Sequence, residues 1–190
     1  MTSAAVLSAQ VLPRRRAVTA ALVVGFALLT ALSARIVIPL PFTPVPISGQ
    51  TLVVLLSGAT LGMAPGAASQ ALYLGLGAVG LPFGAGGASG WTWLVGATGG
   101  YLIGFVVAAA VVGYLAERRG DRRVSTALVT FLVGNLIIYL LGVPWLAVVA
   151  DLSLGEALAQ GVVPFLAGDL LKIALAGLLL PGAWRLVGRV

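Results

Sequence analysis

Apolar runs of bilayer length, separated by short polar breaks, recur along this whole chain. A hydrocarbon core of about 30 Å takes about 20 residues of α-helix to cross. In that medium the backbone must satisfy its own hydrogen bonds, which confines such runs to helices. Windows of that length place spans at residues 17–38, 48–63, 67–81, 98–115, 125–145 and 164–186. The third is short and rich in small residues, so tilt or screening by its neighbours is expected. The predicted fold class is all-α: a polytopic integral membrane protein with six transmembrane helices in one domain, 17–190, behind a cytoplasmic N-terminal tail, 1–16. Composition agrees, with 60% hydrophobic and 8% charged residues and a mean hydropathy of +1.12. The 26 glycines suit close helix approach in a membrane.

The charges sharpen the topology. Apart from Arg35 and Lys172, the basic residues fall in three clusters: Arg14, Arg15 and Arg16; Arg118, Arg119, Arg122 and Arg123; Arg185 and Arg189. Six spans put both termini and the loop between spans four and five on one side, so all three clusters coincide there. The positive-inside rule makes that side the cytoplasm and the cytoplasmic (inner) membrane the expected location. The opposite side receives PLPFTPVPI, the stretch PFGAGGASGWTWLVG, and the segment with Asp151 and Glu156. The sequence RRR, an apolar run and ALSA before Arg35 imitate a cleavable signal peptide, whose removal would leave five spans. A net charge of +6 spread over these clusters forms no basic face for nucleic acid. With no cysteine and no histidine, disulfides, thiolate chemistry, histidine-ligated metals and histidine bases are excluded. No metal, cofactor or catalytic residue is expected.

One ion pair lies inside a span: Asp169 and Lys172 in PFLAGDLLKIALAGLLL. A charge at the centre of a membrane helix costs about 2.5–3.5 kcal/mol on insertion scales. Counting from Pro164, Asp169 lies roughly 8 Å and Lys172 roughly 12 Å below the outer end. Asn135 and Tyr139, four residues apart, share a face of the fifth span. Tyr101, Gln50 and Arg35 fall at the outer ends of the fourth, second and first spans. Convergence at one depth is the pattern of a solute site with apolar walls and a few polar anchors. No polar track runs through the membrane, which argues against a channel.

Each residue also has a plainer reading. Arg35 could snorkel to lipid phosphates, and Asp169 with Lys172 could be a mutually neutralising structural pair. Asn135 and Gln50 could only bond between helices. Tyr101, Trp91, Trp93 and Trp145 fit an aromatic belt at the outer interface, and for the tryptophans the belt is the preferred reading. Ala17, Ala21 and Gly25, followed by Ala27 and Ala31, form a small-residue ridge on the first span, suited to internal packing or to a partner membrane subunit.

PFTPVPISGQTLVVLLSGATLG, GATGGYLIGF, GNLIIYLLGVPWL and PFLAGDLLK, in that order, resemble the BioY family, the biotin-binding S components of energy-coupling factor (ECF) vitamin transporters. The resemblance covers residues 17–180. It implies the six-helix S-component fold and high-affinity capture of biotin from outside. It also implies a partner module of one transmembrane coupling subunit and two ATP-binding subunits, with membrane lipid around the chain. In this family the Asp and Lys of the GDxxK motif hold the biotin head group, and they match Asp169 and Lys172. A small-residue ridge on the first helix meets the coupling subunit in related S components, and Ala17, Ala21 and Gly25 resemble it. The chain departs from the family where GPTGGYL reads GATGGYL, with Ala97 for Pro, and where Gly49 replaces a bulkier residue.

The chemistry of the residues agrees with the resemblance. Biotin's ureido ring offers two N–H donors and a carbonyl acceptor, which suit a carboxylate and an ammonium one turn apart. Arg35, outer-loop N–H groups and Gln50 all remain open as partners of its carboxylate. No P-loop occurs, so ATP hydrolysis belongs to other subunits. The Gly- and Pro-rich outer loops suit lids over a pocket. An S component for another water-soluble vitamin is the nearest alternative. A lipid-acting intramembrane enzyme would need a nucleophile that Ser48, Thr51 and Ser89 do not supply, and a purely structural subunit would bind no ligand.

Overall fold

In the computed structural model, which describes residues 6–12 and 15–186, the helices are α1 (Leu7–Val11), α2 (Arg16–Ser33), α3 (Gln50–Leu61), α4 (Met63–Ala78), α5 (Gly90–Val95), α6 (Gly99–Glu117), α7 (Val124–Val149), α8 (Leu154–Gly161) and α9 (Leu166–Leu186). Arg14 and Arg189 lie outside the described residues, as do residues 1–5 and 13 of the predicted tail, whose described part forms α1 and the start of α2. The long rods α2, α3, α4, α6, α7 and α9 fall where the six spans are expected. By length and apolarity α2, α6, α7 and the stretch Leu154–Leu186 are long enough to cross a membrane. The other two are short. At 12 and 16 residues, α3 and α4 reach only about 18 and 24 Å, and both are shielded by packing on α6.

That central position of α6 depends on glycines. α6 touches α3, α4 and α7 and is the most buried of the long spans. A Cβ on Gly58 of α3 would stand 2.4 Å from the Ala109 carbonyl oxygen of α6. Only a residue without a side chain permits that approach. The helices α3 and α4 are separated by Gly62 at φ +91°, a conformation that disfavours side chains. The Met63 N–H behind it donates to Glu117 Oε1 at 2.8 Å, which caps α4 with the last residue of α6.

Several helix ends differ from the sequence reading. The first span stops at Ser33, because Val37–Ile38 pairs antiparallel with Ile47–Ser48 as a two-stranded ribbon, β1 and β2. The β-branched residues favour strand there, and Pro39, Pro41, Pro44 and Pro46 supply no N–H for a helix. Ser48 is thereby held in β2, and α3 begins at Gln50 rather than 48. The third helix starts at Met63 rather than 67, directly after the Gly62 break. Pro164 sits in a 3₁₀ turn, Val163–Phe165, so α9 starts at Leu166 and Asp169 lies in its first turn. Asp169 and Lys172 are then roughly 4.5 and 9 Å from the helix start, shallower than a count from Pro164 gives. The short helices α1, α5 and α8 carry no span-length signal and are found only in the structure.

The two ends of the bundle differ in chemistry. At one end, Arg15 and Arg16 border the junction of α3 and α4, and Glu117 caps α4 just before Arg118 and Arg119. At that same end Trp184 Nε1 donates to Asp121 Oδ2 at 2.7 Å, which joins the loop after α6 to the close of α9. The Arg122 guanidinium lies 4.3 Å over the Trp184 ring. Burial raises the Asp121 carboxyl above its ordinary pKa, against the opposing hydrogen bond from Trp184. Gln50, Tyr101 and Asp169 open their helices at the other end.

Candidate functional site

At the end away from the arginine clusters, a cavity of about 610 Å³, counted with its mouth, lies among α3, α6, α7 and α9. Its apolar wall includes Phe105, Ile138, Phe165, Leu102 and Val45. Its polar end is built around Asp169, whose carboxylate is almost wholly buried.

Four groups from three helices surround that carboxylate. Asn135 Nδ2 donates to Oδ2 at 3.0 Å, and the Tyr139 hydroxyl donates to the same oxygen. Lys172 Nζ donates to Oδ1 at 3.0 Å, and Thr51 Oγ1 approaches Oδ1 at 3.5 Å. Thr51 in turn accepts from Lys172 Nζ at 2.9 Å. The helical phase explains the set. Asn135 and Tyr139 at i, i+4 meet one oxygen from α7, while Asp169 and Lys172 at i, i+3 stack on α9. Asp169 also sits in the first turn of its helix, where free N–H groups and the helix dipole favour a negative charge.

The valences decide what this cluster can do next. An ammonium has three donors; Lys172 uses one on Thr51 and one on Asp169, which leaves one for a ligand acceptor. A carboxylate offers about four acceptor positions, and that taken by Thr51 is the longest and weakest contact. A ligand N–H can replace it. The site therefore presents one acceptor and one donor side by side at the end of an apolar cavity.

The other expected residues take different places. Tyr101 lines the cavity with its ring, but its hydroxyl donates to the Gly161 carbonyl at 3.0 Å and ties α6 to α8. Gln50 also lines the cavity. Its side chain accepts from Ser48 Oγ at 2.9 Å and donates to the Tyr73 hydroxyl, which donates to the Phe83 carbonyl at 3.2 Å. This relay links α3 and α4 to the loop before α5. Arg35 stands outside the cavity lining, exposed, with Nη2 donating to the Pro82 carbonyl at 2.7 Å. It braces the same loop.

Two residues outside the expected set belong to the site. Trp93, expected in the aromatic belt, is buried on the cavity wall edge-to-face with Tyr73, ring centroids 5.8 Å apart. Gly77 and Gly84 make room for it, since a Cβ at either would fall within 2.6 Å of the indole. Thr51 is the second. Its position directly after Gln50 in the first turn of α3 was the available signal, but the phase that turns it toward α9 comes from tertiary packing. Trp145 is half-buried, with Nε1 on the Gly96 carbonyl at 2.9 Å, and so anchors the start of α6. Trp91 is exposed, as a belt residue would be.

The small-residue ridge divides. Ala27 and Ala31 are buried in the core, whereas Ala17, Ala21 and Gly25 are exposed, with nothing within 4 Å of a Cβ on Gly25.

Comparison with known proteins agrees with the fold and with the family resemblance. The BioY family model matches residues 3–189. A biotin transporter BioY of Rhizobium etli is 36% identical over 170 residues, covering 86% of this chain and 87% of that protein. One of Thermotoga maritima is 40% identical over 142 residues, 75% of this chain and 82% of that protein. One of Rhodobacter capsulatus is 43% identical over 165 residues, 80% and 85% respectively. Among solved structures, the S-component for biotin from an ECF-type ABC transporter superposes with a TM-score of 0.83 at 24% identity, covering 94% of this chain and 95% of that one. The helical bundle is thus that of an ECF S component, and the chain belongs to the BioY family.

Proposed function

We propose that this chain captures biotin at the outer face of the cytoplasmic membrane and acts as the S component of an ECF-type transporter. The observation that carries the reading is the buried Asp169 carboxylate, paired with Lys172 and held by Asn135 and Tyr139 at the polar end of an apolar cavity. A ureido ring matches that end: its N–H donates to Asp169 while its carbonyl accepts the third Lys172 donor. The thioether ring and valeryl chain lie along Phe105, Ile138, Trp93 and the ring of Tyr101. Gln50 and Arg35 act through the lid instead, because their polar groups are engaged with Ser48, Tyr73 and the loop at 82–83. The biotin carboxylate then lies toward the mouth, near the 85–87 turn and Thr98.

Transport further requires a coupling subunit and two ATP-binding subunits. The exposed ridge Ala17, Ala21 and Gly25 supports such a partner, since small residues let a second helix approach closely. Both termini and the arginine-bearing loop face the cytoplasm in this reading, by the positive-inside rule. The test is competition against bound radiolabelled biotin on the purified chain by biotin methyl ester, thiamine and riboflavin. The reading expects the ester to compete and the other vitamins not to. Displacement by another vitamin, with the ester inactive, would contradict it.

A further inference from the structure

A second concavity lies at the arginine-bearing end, on the side of the bundle opposite to the proposed substrate cavity's opening. All the buried residues of α2, namely Ala27, Thr30, Ala31 and Ser33, belong to its second half. The first half buries none, so α2 splays from the bundle as it approaches Arg16. The wedge that results is a groove of about 1480 Å³, counted with its open side, between α2 and the start of α4 and flanked by α1. Val23, Ala20, Leu61, Ala64 and Ala68 form its apolar walls. Arg15 and Arg16 stand at its mouth, and no acidic residue lines it among the described residues.

We propose that this groove holds one acyl chain of an anionic phospholipid, with the lipid phosphate on Arg15 and Arg16. Both guanidiniums are exposed where α2 meets the membrane surface, so they can reach a phosphate without leaving water. From Arg16 to Val24 the groove follows α2 for roughly 12 Å, into the depth where only an apolar occupant avoids a desolvation penalty. Charge at the mouth and apolar walls below it match the two parts of one lipid. Ala17, Ala21 and Gly25 do not line the groove, so a lipid there leaves the exposed ridge of α2 free for a partner subunit. The inference stands independently of which vitamin the chain binds.

Each basic residue near an anionic surface contributes enough that two together favour an anionic over a zwitterionic lipid by about 30-fold. The experiment uses the full chain in dodecylmaltoside, titrated with phosphatidylglycerol or phosphatidylcholine of identical acyl chains, with bound lipid counted by native mass spectrometry. The parent should retain phosphatidylglycerol about 30-fold more strongly. Arg15→Gln with Arg16→Gln should bring that preference close to one. Ala20→Trp should fill the groove and lower retention of both lipids, with Ala64→Leu as a second filler if the first fails to elute as a monodisperse species. Equal retention of the two lipids by the parent would overturn the proposal, as would a preference that survives the arginine substitutions. Fillers that leave lipid retention unchanged but block assembly with a coupling subunit would also overturn it, and would assign the groove to a protein partner.

Discussion

Replacing Lys172 with methionine should destabilise the chain more than any other single change at the cavity. The Nζ to Oδ1 distance is 3.0 Å, and the side chains of Lys172 and Asp169 are only 17% and 7% exposed. At an effective dielectric constant of about 20, that separation corresponds to roughly 5 kcal/mol of attraction. Desolvation of both ions offsets most of it, so the intact pair is close to neutral for stability. Loss of one partner is different. Asp169 would stay buried with its charge opposed only by dipoles, and such breaks cost about 3–5 kcal/mol. Asp169→Asn combined with Lys172→Met removes both charges and should recover most of that loss. The assay is reversible unfolding by titration of SDS into dodecylmaltoside micelles, on the parent, both single variants and the double variant. The expected result is a double variant within about 1–2 kcal/mol of the parent and a Lys172→Met single variant well below it. A double variant as unstable as the sum of the two single losses would mean that the two charges do not interact and would rule out a coupled pair.

Other perturbations probe other links. Thr51→Val removes the hydroxyl that accepts from Lys172 at 2.9 Å; it should weaken biotin binding by no more than about tenfold in equilibrium dialysis, with no change in fold. Gly58→Ala should lower stability by about 1–3 kcal/mol, because its Cβ would meet the Ala109 carbonyl at 2.4 Å. Gly75→Ala, with nothing within 4 Å, is the matched control and should be harmless in the same SDS titration. Asp121 has a raised pKa from burial, so the folded state holds its proton more tightly than the unfolded one. Its contribution to stability is full below the unfolded carboxyl pKa and is lost as pH rises through the higher folded value. Asp121→Asn keeps the Trp184 bond and removes the charge, so its advantage in melting temperature over the parent should grow between pH 4 and pH 7.

Polar residues stranded in apolar runs made much of the site legible. Asp169, Lys172, Asn135 and Tyr139 each stand out against lipid-compatible neighbours, and helical spacing alone pairs them in twos. Which helices then face one another is set by contacts such as Gly58 against Ala109. That is why Thr51, ordinary in a membrane helix, carries no sign in the sequence of its place beside Asp169. Trp93 was misplaced for a related reason: its burial depends on the gaps at Gly77 and Gly84 in segments distant in space until folded. The span count follows from hydropathy, but the helix ends follow from local backbone chemistry. Prolines 39 to 46 and Gly62 moved boundaries that an apolar window cannot resolve. Arg35 illustrates the limit at a single residue. Its position at the outer end of the first span is plain in the sequence, and its bond to the Pro82 carbonyl is not.

Asp169 and Lys172 are proposed to form the head-group end of a biotin site. Equilibrium binding of radiolabelled biotin to the detergent-purified chain tests it most directly, with Asp169→Asn, Lys172→Met and the double variant measured alongside. The expected result is saturable binding by the parent and loss of at least about 100-fold in affinity in all three variants, including the double variant whose stability is restored. Binding by the stable double variant at parental affinity, or no binding by a well-folded parent, would contradict it.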